Sequence, residues 1–240
     1  MISDRKTVSS FNTLIEKIKF IREKEKKVWK KILYWAMWVI TNKTLPRYKE
    51  LVDTYIDLWF DSIFLKKINW LWFASNTKNI LWYSKDELLD FYKNYFNYLI
   101  EKNEKWFFIR DGFLDIIIKK ILNPDKVNFM DLRSPCWAWI WQIAYDYTWK
   151  IYTCDEGRMV EDDIFKIWDI SNNLQELIQN DTVWVMMDAS TIESLPCDIC
   201  AYAPFCWVCP IESYNSRWNI YTNQIFDEHC NFFIFLFDFV

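Results

Sequence analysis

Seven cysteines in the second half of this 240-residue chain are the side chains best suited to chemistry. Thiolates at short spacings can surround one metal ion or cluster, because short loops turn several sulfurs inward while distant members anchor separate segments. The N-terminus has no apolar signal segment, so the cysteines favour metal or cluster binding over a disulfide framework. They are Cys136, Cys154 and Cys230, together with the run Cys197-x2-Cys200-x5-Cys206-x2-Cys209.

Two kinds of site compete for these thiols. A structural zinc ion takes four ligands, and two Cys-x2-Cys steps are a typical zinc pattern, but one zinc ion leaves three cysteines unexplained. Iron-sulfur clusters would use more of them. His229 is the only histidine, which argues against Ser-His-Asp catalysis, Cys-His catalysis and a His-rich zinc enzyme. We expect His229 to cap or pack beside Cys230.

The elements that must position the cysteines differ between the two halves of the chain. From about residue 130 onward, the sequence predicts cysteine-anchored loops, one hairpin and a short helix around Leu174 to Ile178. Before residue 130, helices and strands alternate, which predicts parallel βαβ units. Only two to three such units are present, and we therefore expect part of a larger α/β barrel. We place the domain boundary near Asn128 to Arg133, giving domains 1–130 and 131–240.

Apolar periodicity locates the elements of the first half. Buried strands are predicted over Ile32 to Thr41 and Ser62 to Leu65. Pro46 suits the first position of a helix. The helical faces are Phe11, Leu14, Ile15, Ile18 and Ile21; Leu51, Tyr55 and Leu58; and Leu88, Leu89, Tyr92, Tyr95, Phe96 and Leu99.

The chain has 2 glycines and 16 tryptophans, whereas a soluble chain of this length normally carries roughly 17 glycines. Four tryptophans stand where glycine is expected. Trp149 ends a hairpin turn, and Trp59 follows a helix at the place of a left-handed cap. Trp82 precedes the capping box Ser84–Glu87, and Trp207 lies between two cysteines. We interpret this as UGA codons for glycine translated as tryptophan; the alternative is a Trp-rich core or a carbohydrate-binding surface.

With Trp149 read as glycine, the cysteine pattern resembles the SPASM domain of radical S-adenosylmethionine (SAM) enzymes that modify ribosomal peptides. That family's order is Cys, 9 to 15 residues, Gly, four residues, Cys, a gap, Cys-x2-Cys-x5-Cys-x3-Cys and a last Cys; the final short step here is x2. The segments 132–142 and 154–159 look most like maturases of His-Xaa-Ser peptide systems. The preceding residues look like the closing units of the radical SAM partial barrel.

The resemblance implies two auxiliary [4Fe-4S] clusters. Auxiliary cluster I would be held by three thiolates, Cys136, Cys154 and Cys209, which leaves one iron open. Auxiliary cluster II would be held by Cys197, Cys200, Cys206 and Cys230. The glycine-like positions Trp137, Trp139 and Trp141 would suit a loop whose backbone N–H groups point at sulfur, the plainer alternative being a tight loop.

The resemblance also implies an activity, with one element missing. The Cys-x3-Cys-x2-Cys loop that binds a third cluster and SAM is absent, the first cysteine being Cys136. We therefore expect the C-terminal portion of a peptide maturase, inactive alone, with catalytic residues unidentified. Expected partners are a precursor peptide with His-Xaa-Ser repeats, a paired radical SAM maturase and an electron donor. A zinc-binding scaffold module and a stand-alone electron-transfer subunit are the alternatives.

Charge and hydropathy narrow the remaining possibilities. The net charge of −4 argues against nucleic-acid binding, and no apolar run approaches the roughly 20 residues of a membrane span. We expect a cytoplasmic protein. Two polar groups are weaker candidates for substrate or cluster contacts: Lys66, Lys67 and Asn69 after the second strand, where a solvated loop is the alternative, and Asp155, Glu156 and Arg158, where surface ion pairs are the alternative.

Overall fold

The computed structural model describes residues 10–29, 31–123, 129, 131–169, 171, 173, 175–176, 179–192, 197, 199–221 and 228–240. The chain divides into two compact units, residues 1–66 with 90–112 and residues 67–89 with 113–240. Only residues 175 and 176 of the helix predicted around Leu174 to Ile178 fall within the described residues. Of the predicted boundary, Phe129 and Asp131 to Arg133 do. The boundary itself stays a prediction.

The first unit contains a parallel sheet, as the alternation of elements predicts. Its strands are β1 (Trp35–Val39), β2 (Ser62–Lys66) and β3 (Arg110–Asp111), in the order β1-β2-β3. The sheet does not close within the described residues. Its helices are α1 (Ser10–Val28), α2 (Tyr48–Asp57) and most of α4 (Lys85–Glu104).

The core of the first unit is aromatic. The rings of Phe91 and Tyr95 stack at 5.8 Å, and Trp38 meets Phe91 edge-on at 5.7 Å. The Tyr95 hydroxyl donates to Asp111 Oδ2 at 3.0 Å, which ties α4 to β3. Burying side chains of this size contributes about 1.5–3 kcal/mol each, so the predicted apolar face of α4 is confirmed as the principal core face.

Two faces of the first unit are more exposed than the sequence suggested. On α1, Ile18 is buried, but Phe11 and Leu14 are about half exposed, at 50% and 52%. On the edge strand β1, exposed and buried residues alternate, so the strand predicted as buried is buried on one face only. When both faces of a strand carry apolar side chains, the sequence does not indicate which face packs against another element and which is exposed.

The second unit is built around a hairpin and short helices. Its strands β4 (Ala144–Tyr145), β5 (Lys150–Tyr152) and β6 (Lys166–Asp169) form an antiparallel sheet, in which β6 was not predicted. The predicted hairpin turn is confirmed: Asp146 Oδ1 accepts hydrogen bonds from the backbone N–H groups of Thr148 and Lys150. The helices are α3 (Lys78–Leu81), most of α5 (Gly112–Leu122), α6 (Ala138–Trp141), α7 (Asp155–Val160), α8 (Asp181–Ala189), α9 (Pro210–Arg217) and α10 (Glu228–Phe239).

Backbone angles distinguish the tryptophans sharply. Of the six described residues with positive φ, five are tryptophan: Trp29, Trp59, Trp106, Trp149 and Trp218, with φ between 53° and 69°. The predictions for Trp59 and Trp149 are therefore confirmed. Trp82 is extended (φ −66°, ψ 150°), and Trp207 is buried with no positive φ, so these two positions lack that signature.

Three of these tryptophans occupy helix caps where glycine usually stands. After α2, Trp59 N–H bonds to Ile56 O and Phe60 N–H to Tyr55 O, the paired bonds of a Schellman motif. Trp106 ends α4 with the same pair of bonds, and Trp218 ends α9 with a single bond to Tyr214 O. Their side chains are 78%, 95% and 79% exposed, so packing does not account for the indoles. The backbone here has the geometry that glycine adopts without strain.

No helix in the described part of the chain is long and apolar enough to cross a bilayer.

Candidate functional site

The first cysteine group consists of Cys136, Cys154 and Cys209, each of which lies at the start of a helix. Cys154 is the N-cap of α7 and Cys209 the N-cap of α9, while Cys136 lies two residues before α6. Burial is the main reason that the pKa of the Cys136 thiol rises to about 12, and it also raises the pKa of the Cys154 and Cys209 thiols above the ordinary value. Cys136 and Cys154 also raise the pKa of Cys209, so the three sulfurs lie within electrostatic reach of one another.

Each thiol of this group faces a backbone N–H of the turn that follows it. Gly157 N–H donates to Cys154 Sγ at 3.3 Å, and the N–H groups of Ala138 and Glu212 oppose the rise in the pKa of Cys136 and Cys209. Donors of this kind stabilise thiolate, which is the form that binds metal. Without metal, burial outweighs them and the thiols stay protonated. The arrangement suits an anionic metal centre better than three free thiols.

Two buried groups hold the first cysteine group in place. Ser190, which is fully buried on the turn after α8, accepts a hydrogen bond from Cys136 N at 2.9 Å. At Gly157, an added Cβ would lie 2.8 Å from Thr153 Oγ1 and 3.3 Å from Phe165 Cβ. Only glycine therefore allows α7 to begin this close to β5, with its first turn against Cys154. Neither support was predicted, since serine and glycine carry no periodic signal.

The second cysteine group consists of Cys197, Cys200, Cys206 and Cys230, which line one small cavity. Apolar side chains complete its wall, among them Val208 and Phe233. Burial raises the pKa of the Cys206 thiol to about 12, and the neighbouring Cys197 and Cys230 raise it further. The neighbouring Cys197, Cys200 and Cys206, together with Cys230 on α10, thus bring four thiols to a single apolar space.

The donor chemistry of both groups fits iron-sulfur clusters. Thiols are the ligands of [4Fe-4S] clusters, and apolar, partly buried surroundings are typical of them. Among the described side chains, no three His, Cys, Asp or Glu residues converge on a point that could hold a single metal ion.

His229 is accounted for by other contacts. Its ring is buried, with Nδ1 3.2 Å from Glu212 Oε2 and Nε2 3.0 Å from the carbonyl oxygen of Trp207. The prediction that it packs beside Cys230 is consistent with this placement. Burial raises the pKa of Glu212, but the His229 hydrogen bond and the charges of His229 and Lys67 outweigh it, so that this pKa falls to about 2.

The other polar candidates divide between the site and the surface. Lys67 Nζ lies 4.6 Å from the ring centre of Phe232 and acts on Glu212, whereas Lys66 is exposed. Arg158 pairs with Asp155 at 2.7 Å as a partly exposed ion pair, which is the alternative to a contact with cluster or substrate. The segment with Trp137, Trp139 and Trp141 forms a helical turn, not an open loop.

Sequence reasoning missed Lys120. This side chain is only 5% exposed, and Nζ lies 4.2 Å from the ring centre of Trp207 and donates to Leu132 O. Burial lowers its pKa to about 8, against the opposing charge of Cys206. A signal was present, because Ile116, Ile117 and Lys120 share one face of α5 by helical spacing.

Comparisons with known proteins identify the fold. No protein-family model and no curated protein matches the sequence. Among solved structures, the chain is similar to native anSMEcpe with bound AdoMet (TM-score 0.66, 15% identity), covering 93% of this chain and 59% of that one. Native anSMEcpe with AdoMet and the Kp18Cys peptide matches with TM-score 0.64 and 13% identity over the same shares.

The chain therefore spans about three fifths of the structures it matches. Its mixed α/β architecture with a parallel sheet corresponds to the fold of the C-terminal part of those structures. The predicted fold class is confirmed. The specific likeness to His-Xaa-Ser maturases is not among these findings.

Proposed function

We propose that this chain is the C-terminal portion of a radical SAM enzyme that modifies a ribosomally made precursor peptide, and that it holds two auxiliary [4Fe-4S] clusters. Cys136, Cys154 and Cys209 would ligate auxiliary cluster I, and the thiols that line the cavity would ligate auxiliary cluster II. The observation that carries the proposal is the sorting of all seven cysteines into these two groups. When bound, such clusters supply electron transfer, or an open iron where only three thiolates bind.

The chain's own residues have defined tasks in this proposal. The N–H groups of Ala138, Gly157 and Glu212 would hold the cluster I sulfurs as thiolates. The wall around Val208 and Phe233 would keep water from cluster II. Seven reduced thiols are needed, which favours a reducing cytoplasmic location. In the whole enzyme, the barrel would provide the third cluster, SAM and the radical chemistry.

Iron content tests the proposal directly. The chain, reconstituted anaerobically with iron and sulfide, should be brown and hold about eight irons, four per cluster. Cys197→Ala and Cys154→Ala should each remove about half of the iron, and the double variant nearly all of it. Zinc at one or two ions per chain in a colourless preparation would favour the zinc-module alternative. Retention of all the iron in the double variant would refute the ligand assignment.

The partner is proposed to be a precursor peptide of the His-Xaa-Ser class, with a paired maturase and an electron donor as further partners. Support comes from the resemblance of segments 132–142 and 154–159. The anSMEcpe structures with the Kp18Cys and Cp18Cys peptides also make a peptide substrate plausible on fold grounds. Binding of a fluorescent His-Xaa-Ser repeat peptide should exceed that of a scrambled peptide of equal composition, and equal binding would exclude this class.

We also propose that the tryptophans at left-handed positions stand in place of encoded glycines. Support comes from the five tryptophans with positive φ and from their exposure. The codons decide the matter: UGA at these positions is expected, whereas UGG at all of them would refute recoding.

A further inference from the structure

We propose that Lys120 is a fixed positive charge that raises the reduction potential of the cluster held by Cys197, Cys200, Cys206 and Cys230. The inference rests on the proposed function, because it requires a cluster at those thiols. It assigns to Lys120 a tuning role that acts through charge, without ligation.

The position of Lys120 is unusual for a lysine. Lysine is almost never this deeply buried unless it is paired, yet Lys120 forms no ion pair among the described residues. Its ammonium group is held by one carbonyl, Leu132 O, and by the face of the Trp207 ring. These contacts orient the group without a negative charge of their own; the charge of Asp131 favours the ammonium form, and the charge of Arg133 opposes it. A buried cation of this kind needs an anion nearby.

The thiol that responds to this charge is Cys206. Lys120 acts electrostatically on Cys206, which is the residue before Trp207. The ring that Lys120 Nζ contacts at 4.2 Å belongs to the residue next to Cys206, so the positive charge lies near a cluster II ligand. Thiolate ligation would add negative charge on the side of Cys206.

The effect on the cluster follows from charge. One-electron reduction adds a negative charge to the cluster and changes no bond to the protein. A nearby fixed cation therefore stabilises the reduced form more than the oxidised form, and burial strengthens this effect by weakening solvent screening. Removing the cation should make cluster II harder to reduce. Auxiliary cluster I should respond much less.

The test is a potentiometric titration followed by electron paramagnetic resonance on anaerobically reconstituted protein. The measurement uses a Cys154→Ala background, which keeps cluster II alone. There, Lys120→Met should lower the equilibrium constant for one-electron reduction of the cluster about tenfold, which corresponds to a fall of about 59 mV in its reduction potential. Lys120→Arg, which keeps the charge, should remain near the parent value. Lys119→Met is the matched control, because Lys119 is the exposed neighbour paired with Asp115.

Each outcome decides between the two proposals. If Lys120→Met reduces iron binding, Lys120→Gln replaces it, because glutamine keeps a hydrogen-bond donor for Leu132 O. The same fall in the reduction potential is then expected of Lys120→Gln. A potential that is unmoved by either neutral variant, or moved equally by Lys119→Met, would overturn the role of Lys120 alone. A parent chain that binds no iron would overturn the proposed function together with this inference.

Discussion

Trp59, Trp106 and Trp218 offer a direct measure of backbone strain at helix ends. Each has a left-handed backbone, which costs a residue other than glycine about 1–2 kcal/mol. Replacement by glycine removes that strain but adds about 0.5–1 kcal/mol of chain entropy to the unfolded state. Little burial is lost, since these side chains are 78%, 95% and 79% exposed. We expect a net stabilisation of about 1 kcal/mol per site.

Thermal and urea unfolding, followed by circular dichroism, measure this change. A gain of about 1 kcal/mol corresponds to roughly 2–4 °C in Tm for a protein of this size. The three sites share no hydrogen-bond partners, so their effects should add to about 3 kcal/mol in the triple variant.

Two control variants separate strain from residue type. Glu161→Gly should also stabilise, because Glu161 has φ 60° and is not a tryptophan. Trp82→Gly should destabilise by about 0.5–1 kcal/mol, because Trp82 is extended and only half exposed. Should Trp59→Gly destabilise as much as Trp82→Gly, the argument from backbone geometry would be refuted, together with its support for recoding.

Three further predictions concern the site and its supports. The 240-residue chain, given SAM and dithionite after reconstitution, should form no 5′-deoxyadenosine by chromatography, because it has no Cys-x3-Cys-x2-Cys loop; turnover would contradict the proposed division of labour. Ser190→Ala should destabilise by about 1–3 kcal/mol in urea unfolding, because the buried Cys136 N–H loses its acceptor, and an unchanged midpoint would argue against that bond. Tyr214→Phe removes a 2.6 Å hydrogen bond to Asp162, whose pKa is held low by the Ile164 N–H and this hydroxyl. A carboxylate whose pKa is lowered in the folded state stabilises the fold at pH values above its unfolded pKa of 3.8, and this stabilisation is lost as the pH falls below 3.8. The variant should therefore lose about 1 kcal/mol of unfolding free energy at pH 7 and less at pH 3. An equal loss at both pH values would exclude the charged hydrogen bond.

Local sequence patterns predicted those features in which a few neighbouring residues determine the backbone conformation. The capping box is present, with Ser84 N–H donating to Glu87 Oε2 at 2.7 Å and Glu87 N–H to Ser84 Oγ at 3.2 Å. The hairpin turn and the left-handed cap at Trp59 followed from the few residues that form them. The grouping of the cysteines came from the family resemblance, since spacing alone left zinc open.

Long-range features could not be predicted in the same way. Lys120 lies far from Cys206 along the sequence although the two groups interact in the structure. The burial of Lys120 depends on packing that no local sequence pattern encodes. Ser190 lies 54 residues from Cys136, whose N–H it accepts. Trp207 also has a buried ring that meets Phe233 at 4.3 Å, a packing arrangement that its position between cysteines did not suggest.

The open edge at β1 has a consequence for handling the chain. Trp35, Met37 and Val39 are 68%, 67% and 46% exposed on β1, which pairs with β2 alone among the described strands. Strands of this kind recruit copies of themselves through edge-to-edge pairing, and natural proteins often prevent this with an edge lysine. The isolated chain is therefore prone to concentration-dependent self-association. Met37→Lys is the smallest change that should keep it monodisperse, since it places a charge at the centre of that edge.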